Sequence, residues 1–293
     1  MQFAVSSYSF SQLLKTGTLN QLTCIAKAKE LGFDAIEFAE IQPHDGSSQL
    51  VYAAKLREEA ERQGIAISCL AVGADFLNGS GGDLQAEIER VKGQVDLAVA
   101  LGAPRMRHDV SSGDKPGAPG WRSFATVLPI LADACRQITN YAQQQGIRTM
   151  VENHGFFCQD AERLEQLHDA VGHPNFGLLL DMGNFLCVDE DPAPACARLA
   201  PHAIYVHAKD FHVKSAMEPA PGEGFFRSRS GNYLRGAILG HGNVPVQQCL
   251  YALERHGYDG TIAVEFEGLE NCLQGIAIGF ANLRRLLIRA LDC

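Results

Sequence analysis

Four short apolar runs in the second half of the chain each end in an ionisable side chain. Met150-Val151-Glu152 leads into Asn153-His154, and Leu179-Leu180-Asp181 into Met182-Gly183-Asn184. Val206 leads into His207-Ala208-Lys209-Asp210, and Ala263-Val264 into Glu265-Phe266-Glu267. A carboxylate at the end of a buried run is costly unless it is paired or coordinated. Taken singly, each Glu is an ordinary salt-bridge partner, Asp181 a helix cap and His207 a satisfied core histidine. Taken together, Glu152, Asp181, His207 and Glu265 make three carboxylates and one imidazole. Three carboxylates brought close repel one another without a cation, and one divalent metal ion resolves that. The hard, oxygen-rich set with one nitrogen favours Mn2+ or Co2+, with Mg2+ as a third choice, over a closed structural zinc site built on cysteines. Four protein ligands leave positions for two substrate oxygens.

These side chains converge only if their runs are neighbouring strands. The chain repeats one unit: a segment of helical periodicity, a glycine, then a β-branched run. Gly32, Gly64, Gly102, Gly146, Gly172 and Gly257 each stand before such a run. A glycine just past a helix closes its last turn in the left-handed conformation. The runs after it are apolar nearly throughout, as in parallel strands buried on both faces. With Gln2–Ser7 and Ala203–Phe211 there are eight strands. Helical periodicity fills Leu19–Leu31, Gln49–Gln63, Leu84–Leu101, Trp121–Gln145, Ala161–Val171, Pro194–Ala200, Val246–His256 and Cys272–Leu291. Eight β-α units predict an α/β fold, a (β/α)8 TIM barrel in a single domain over residues 1–293, with an open doubly wound sheet as the alternative. Two irregular stretches, Asp109–Gly120 and His212–Asn243, follow strand C-termini, the catalytic face of such barrels.

The 293 residues are 46% hydrophobic and 20% charged, with a net charge of -9. That balance argues against a nucleic-acid surface but leaves room for an anionic substrate held by a few arginines. No apolar run is long enough to cross a membrane, and the N-terminal segment lacks the basic and apolar regions of a secretory signal. Nine cysteines with no C-x-x-C pair read as small buried hydrophobes in a reducing cytoplasm.

V-E-N-H at Val151–His154, L-D-M-G-N at Leu180–Asn184, V-H-A-K-D at Val206–Asp210 and A-V-E-F-E at Ala263–Glu267 resemble the xylose-isomerase-like barrel superfamily, in particular its sugar phosphate isomerase/epimerase members. The resemblance follows strand order over nearly the whole chain. It implies that Glu152, Asp181, His207 and Glu265 hold one divalent metal ion. It also implies an isomerase or epimerase of a sugar, ketosugar or sugar phosphate, working by proton abstraction next to a carbonyl through a metal-stabilised enediolate. Glu152 and Glu265 would then be the base and acid pair. Loss of hydroxide from the next carbon would make the same site a dehydratase of the inosose or dehydroshikimate kind. Asn184 stands where ketose 3-epimerases carry a histidine, and H-A-K-D looks more like the dehydratases and phosphorylated-sugar epimerases.

Around this core lie further candidates for substrate binding. Lys209, two residues past His207, falls on the same side of the strand and either bonds a substrate oxygen or neutralises a carboxylate. His154 has the same relation to Glu152, and Asn184 contacts substrate or shapes its turn. Glu37 and Arg107 end the second and fourth strands. Arg227, with Arg229 and Arg235, lies in the long segment after the seventh strand, near where such barrels hold phosphate, although a solvated basic loop explains it as well. Phe225, Phe226, Tyr233 and Trp121 are candidates for an apolar wall. The expected partner is a small sugar or polyol, with no nucleic acid and no membrane. A homo-oligomer, dimer or tetramer, is what the resemblance implies. The competing classes are a DNA-repair nuclease, which the acidic balance disfavours, and a non-catalytic barrel.

Overall fold

The computed structural model describes residues 1–114, 120 and 122–291. Eight parallel strands close into a barrel: β1 (Gln2–Ser6), β2 (Ala35–Ala39), β3 (Ala66–Val72), β4 (Arg105–His108), β5 (Arg148–Glu152), β6 (Phe176–Asp181), β7 (Ala203–Ala208) and, last in the chain, β11 (Thr261–Val264). A short α1 (Ser11–Lys15) comes first, unpredicted. The helices α2 (Gln21–Glu30), α3 (Gln49–Gln63), α4 (Leu84–Leu101), α5 (Phe124–Gln144), α6 (Ala161–Val171), α7 (Pro192–Leu199), α8 (Val246–Arg255) and α9 (Cys272–Leu291) occupy the eight predicted segments, with ends shifted by no more than three residues. Trp121, proposed as the start of the fifth helix and as part of an apolar wall, lies outside the described residues.

Local chemistry places the boundaries. Asn20, Ser48, Asp83, Ser123, Asp160 and Asp191 each accept a backbone N–H of the first turn of the helix they open, satisfying donors a helix start leaves orphaned. At the other end Gly64 and Gly102 sit at φ 62° and 75°, the left-handed caps that turn the chain back into the next strand.

Alternation along the strands builds the barrel interior in layers. A lower layer holds Ala4, Ala35, Cys69, Met150, Leu179, Tyr205 and Ala263, all fully buried. Small side chains from β1, β2 and β11 leave room for the Tyr205 ring, whose hydroxyl bonds Ser68 Oγ at 2.8 Å. This apolar plug closes the barrel from below. Two residues further along the same strands stand Glu37, Glu152, Asp181, His207 and Glu265, so the layer above the plug is polar. The register sets Asp181 opposite His207 and Ala263 opposite His207.

One predicted element is divided. The run Ala203–Phe211 stops at Ala208, and after Lys209 the chain leaves the barrel as β8 (Asp210–Lys214). The segment His212–Asn243, expected to be irregular, contains a three-stranded antiparallel sheet of β8, β9 (Phe226–Arg227) and β10 (Tyr233–Ala237). The reason is Asp210. Its carboxylate accepts the backbone amides of Phe211, Gly240, Gly242 and Val244, tying the exit of β8 to the return of the chain. A Cβ at Gly242 would stand 2.2 Å from that carboxylate, so only glycine fits there.

Candidate metal centre

The structure brings Glu152, Asp181, His207 and Glu265 together, each offering one ligand atom within 4.8 Å of the others. His207 Nδ1 lies 3.5 Å from Glu152 Oε1, 3.6 Å from Asp181 Oδ2 and 3.6 Å from Glu265 Oε2. These distances are too long for good hydrogen bonds. His207 Nδ1 and Asp181 Oδ2 are buried without a hydrogen-bond partner. Buried polar atoms are rarely left so, and one cation bonded to all four groups would satisfy both. The residues therefore fit a divalent metal ion, with donors of the hard oxygen-and-imidazole kind.

Each donor is oriented by a neighbour. Glu37, fully buried, accepts from His207 Nε2 at 2.9 and 3.1 Å. That fixes the ring so that Nδ1 faces the carboxylates. Glu37 was expected to meet substrate; its oxygens are instead spent on this imidazole, because the inward face of β2 lies in the same layer as His207. Asp181 Oδ1 accepts the amides of Gly183 and Asn184, so only Oδ2 is left to a ligand. Asn184, also expected to contact substrate, is buried. It donates to Glu152 Oε1 at 3.0 Å and accepts from Lys209 Nζ at 3.3 Å, binding protein on both sides.

Two buried cations offset the carboxylates. Arg107 reaches Glu152 Oε2 with Nε at 2.5 Å, without good alignment, and Asp109 Oδ1 with Nη2 at 2.8 Å. Burial opposes the Glu152 charge, but the Arg107 guanidinium and His207 hold its carboxyl well below the ordinary range. Lys209 Nζ contacts Glu265 Oε2 and lies 3.2 Å from Asp181 Oδ2. Burial disfavours its ammonium, yet Asp181 and Glu265 keep it protonated far above the usual lysine range.

A cavity of about 420 Å³ opens above these groups, the size of a small-molecule site. Arg107, Glu152, His154, His207, Lys209 and Glu265 line it, as do Tyr8, Glu40, Gln42, Asp109 and Glu267, which the sequence reading did not single out as site residues. Their signal was the strand period: Asp109 is two residues past Arg107, and Glu267 two past Glu265. His154 Nδ1 meets Asp109 Oδ1 at 2.8 Å, and half of its side chain remains exposed. Burial works against its charge, but the Asp109 bond and charge raise its pKa above the ordinary histidine value. Arg227 is not brought to the cavity. It lies exposed in β9, its guanidinium 4.5 Å from the Tyr233 ring centre and bonded to Gly231 O and Tyr233 Oη of its own sheet. Phe225, Phe226 and Tyr233 are likewise absent from the lining.

Comparison with known proteins agrees with the barrel fold. The chain is 26% identical over 227 residues to the rhizopine catabolism protein MocC of Rhizobium meliloti, covering 71% of this chain and 66% of that protein. It is 25% identical over 197 residues to an inosose dehydratase of Lacticaseibacillus casei, covering 66% of this chain and 60% of that protein. The chain thus spans two thirds or less of the length of these relatives. Among solved structures, D-psicose 3-epimerase from Clostridium cellulolyticum H10, determined with D-tagatose, superposes with a TM-score of 0.74 at 15% identity over 98% of this chain and 99% of that one. A family model described as xylose isomerase-like TIM barrel matches residues 25–286, and the chain belongs to that family.

Proposed function

We propose that this protein is a divalent-metal-dependent enzyme that removes a proton next to the carbonyl of a small sugar or polyol. Returning the proton to a carbon makes it an isomerase or epimerase. The observation that carries the reading is the orphaned pair His207 Nδ1 and Asp181 Oδ2, set between Glu152 and Glu265 at the floor of the cavity. A divalent ion bound there would polarise the substrate carbonyl and offset the charge that develops when the neighbouring proton leaves. Glu152, Asp181, His207 and Glu265 would hold it.

The chain's own residues supply the rest. Glu152 and Glu265 rise from β5 and from the end of β11, and a substrate between them meets a carboxylate on either side, as a base and acid pair requires. Arg107 and Asn184 fix Glu152. Lys209, an ammonium in contact with Glu265, donates to a substrate oxygen. His154, oriented by Asp109, presents its other ring nitrogen to the cavity and moves a proton at the far end of the substrate.

A second reading is dehydration, and two observations favour it. His154, with its pKa above the ordinary histidine value, is a proton donor able to protonate a departing hydroxyl, and one curated relative is an inosose dehydratase. The deciting experiment for both readings incubates the Mn2+-loaded protein in deuterated water with ketoses, inososes and their phosphates. Isomers of the starting compound carrying solvent deuterium support the first reading. Loss of one water with a new unsaturated-carbonyl absorbance supports the second. No exchange and no product with any of them, with metal bound, rejects both.

A further inference from the structure

We infer that the substrate of this cavity carries no negative charge: the site selects an uncharged polyhydroxy ketone and rejects its phosphate ester, with Glu40 as a specificity-determining residue. The inference rests on the reading of the cavity as the substrate site, and the charges around it carry the argument.

Five carboxylates line the cavity, those of Glu40, Asp109, Glu152, Glu265 and Glu267. Those of Glu37 and Asp181 lie beneath it against His207. Among the described residues Arg107 and Lys209 supply two positive charges, and a bound divalent ion would supply two more. Seven negative charges against four positive leave three in excess. Neither cation is free to clamp an anion. Arg107 is closed on Glu152 and Asp109, and Lys209 on Glu265, Asp181 and Glu267. Of the arginines that could have held a phosphate, Arg227 and Arg229 are bonded away from the cavity, and Arg235 pairs with Glu270. Arg90, which donates to the Gly73 carbonyl, is closed on Glu87 through two contacts.

Glu40 is the acidic residue of the wall with no structural task there. It follows β2 at φ 56°, in the left-handed region that non-glycine residues rarely adopt. Its backbone N–H donates to Ala71 O and its carbonyl accepts from Gln21 Nε2, while its carboxylate has, among the described residues, no cation bonded to it and a single weak contact from Gln42 at 3.5 Å. Its Oε1 and Asp109 Oδ2 both lie 3.9 Å from the point where a Gly73 Cβ would stand. Two carboxylates therefore face one small gap at the mouth. Acceptors placed so bind sugar hydroxyls well, and they repel a phosphate dianion. Rejection by like charge is an economical route to specificity, and a cleft with low-dielectric walls strengthens it.

The test is calorimetric, on the Mn2+-loaded protein after removal of free metal. An inosose and D-fructose are each titrated against their monophosphates. The neutral member of a pair binds at least tenfold tighter. Glu40→Gln keeps one Mn2+ per chain and narrows that preference about fivefold, as expected for one unit charge at roughly 8 Å in a partly solvated cleft. Salt of about 1 M, where the screening length is about 3 Å, narrows it in the wild type as well. Equal or tighter binding of the phosphates overturns the inference and leaves the proposed function standing. Binding of neither member, with Mn2+ in place, overturns the proposed function and the inference with it. A preference unchanged in Glu40→Gln removes Glu40 from the account.

Discussion

Replacing Glu37 by Gln tests whether the buried carboxylate under the centre sets the imidazole above it. In the wild type both Glu37 oxygens face His207 Nε2, at 2.9 and 3.1 Å. The ring must then keep a proton on Nε2 and leave the Nδ1 lone pair toward Glu152, Asp181 and Glu265. A glutamine has the same shape but no charge, and its amide can turn either its oxygen or its nitrogen to the ring. With the nitrogen inward, Nε2 must accept, and the proton moves to Nδ1, where it blocks coordination. Loss of such an orienting partner weakens metal binding about 10- to 100-fold, or about 1.4–2.7 kcal/mol. Calorimetric titration with Mn2+ reads this directly: the variant keeps one site, with Kd raised by that factor. A thermal melt followed by circular dichroism shows that the variant is folded. Glu37→Asp keeps the charge at a longer reach and falls between the two. A folded Glu37→Gln protein that binds Mn2+ as tightly as the wild type would refute the orienting role.

Three other outcomes follow from the same contacts. Lys209→Met keeps one metal ion per chain but lowers kcat about 100-fold or more, because it removes the ammonium that touches Glu265 and faces the cavity; a loss confined to KM would contradict that role. Asp210→Asn replaces a carboxylate that accepts four backbone amides with a group that has one acceptor oxygen. Stranding two of those donors costs about 2–4 kcal/mol, read by urea unfolding, and an unchanged midpoint would dismiss Asp210 as the anchor of the β8–β10 sheet. Glu87→Gln probes acid stability. Bonds from Arg90, Asp75 N and Ser80 outweigh burial and bring Glu87 from its ordinary value down to about 2. A depressed carboxyl contributes stability above its unfolded pKa and loses it as pH falls toward the folded value. The variant is therefore less stable than wild type by about 2 kcal/mol at pH 7, and the gap closes between about pH 5 and pH 2; a gap that persisted at pH 2 would exclude the ionic origin.

The barrel and the four convergent donors were legible because period carries them. A parallel barrel strand must be apolar, and an inward side chain recurs every second residue, so Glu152, Asp181, His207 and Glu265 stood out against their runs. The same period links Arg107 to Asp109 and Glu265 to Glu267, yet both later residues lie past the strand ends, where the apolar contrast has gone. Glu37 was visible as a strand-end acid, but its partner was not, since pairing depends on which layer of a closed barrel each strand contributes. Arg227 misled for a related reason. Proximity in sequence to the seventh strand says nothing about a β-hairpin folding the guanidinium onto Tyr233. The β8–β10 sheet itself was hidden because Gly240 and Gly242, which look like loop residues, are held by a single buried aspartate 30 and 32 positions earlier.

The site contains internal cations that offset its carboxylates before any metal binds. Arg107 sits on Glu152 and Asp109, and Lys209 on Glu265 and Asp181. A metal ion adds to this network by engaging the two buried atoms that lack a hydrogen-bond partner, His207 Nδ1 and Asp181 Oδ2, the latter meeting only the Lys209 charge at 3.2 Å. Two consequences oppose one another and can be separated. If the internal cations suffice, stripping the protein with a chelator leaves its far-ultraviolet circular dichroism unchanged at 25 °C. If the ion binds the native state alone, restoring it at about a hundredfold excess over Kd stabilises the fold by about 2.7 kcal/mol, which raises Tm by about 5 °C in a chain of this size. Unfolding on chelation at 25 °C would show that Arg107 and Lys209 do not balance the site. An unchanged Tm on adding Mn2+, Co2+ or Mg2+ would show that the two orphaned atoms are not ligands, and the centre would reduce to an ionic network that closes the top of the barrel.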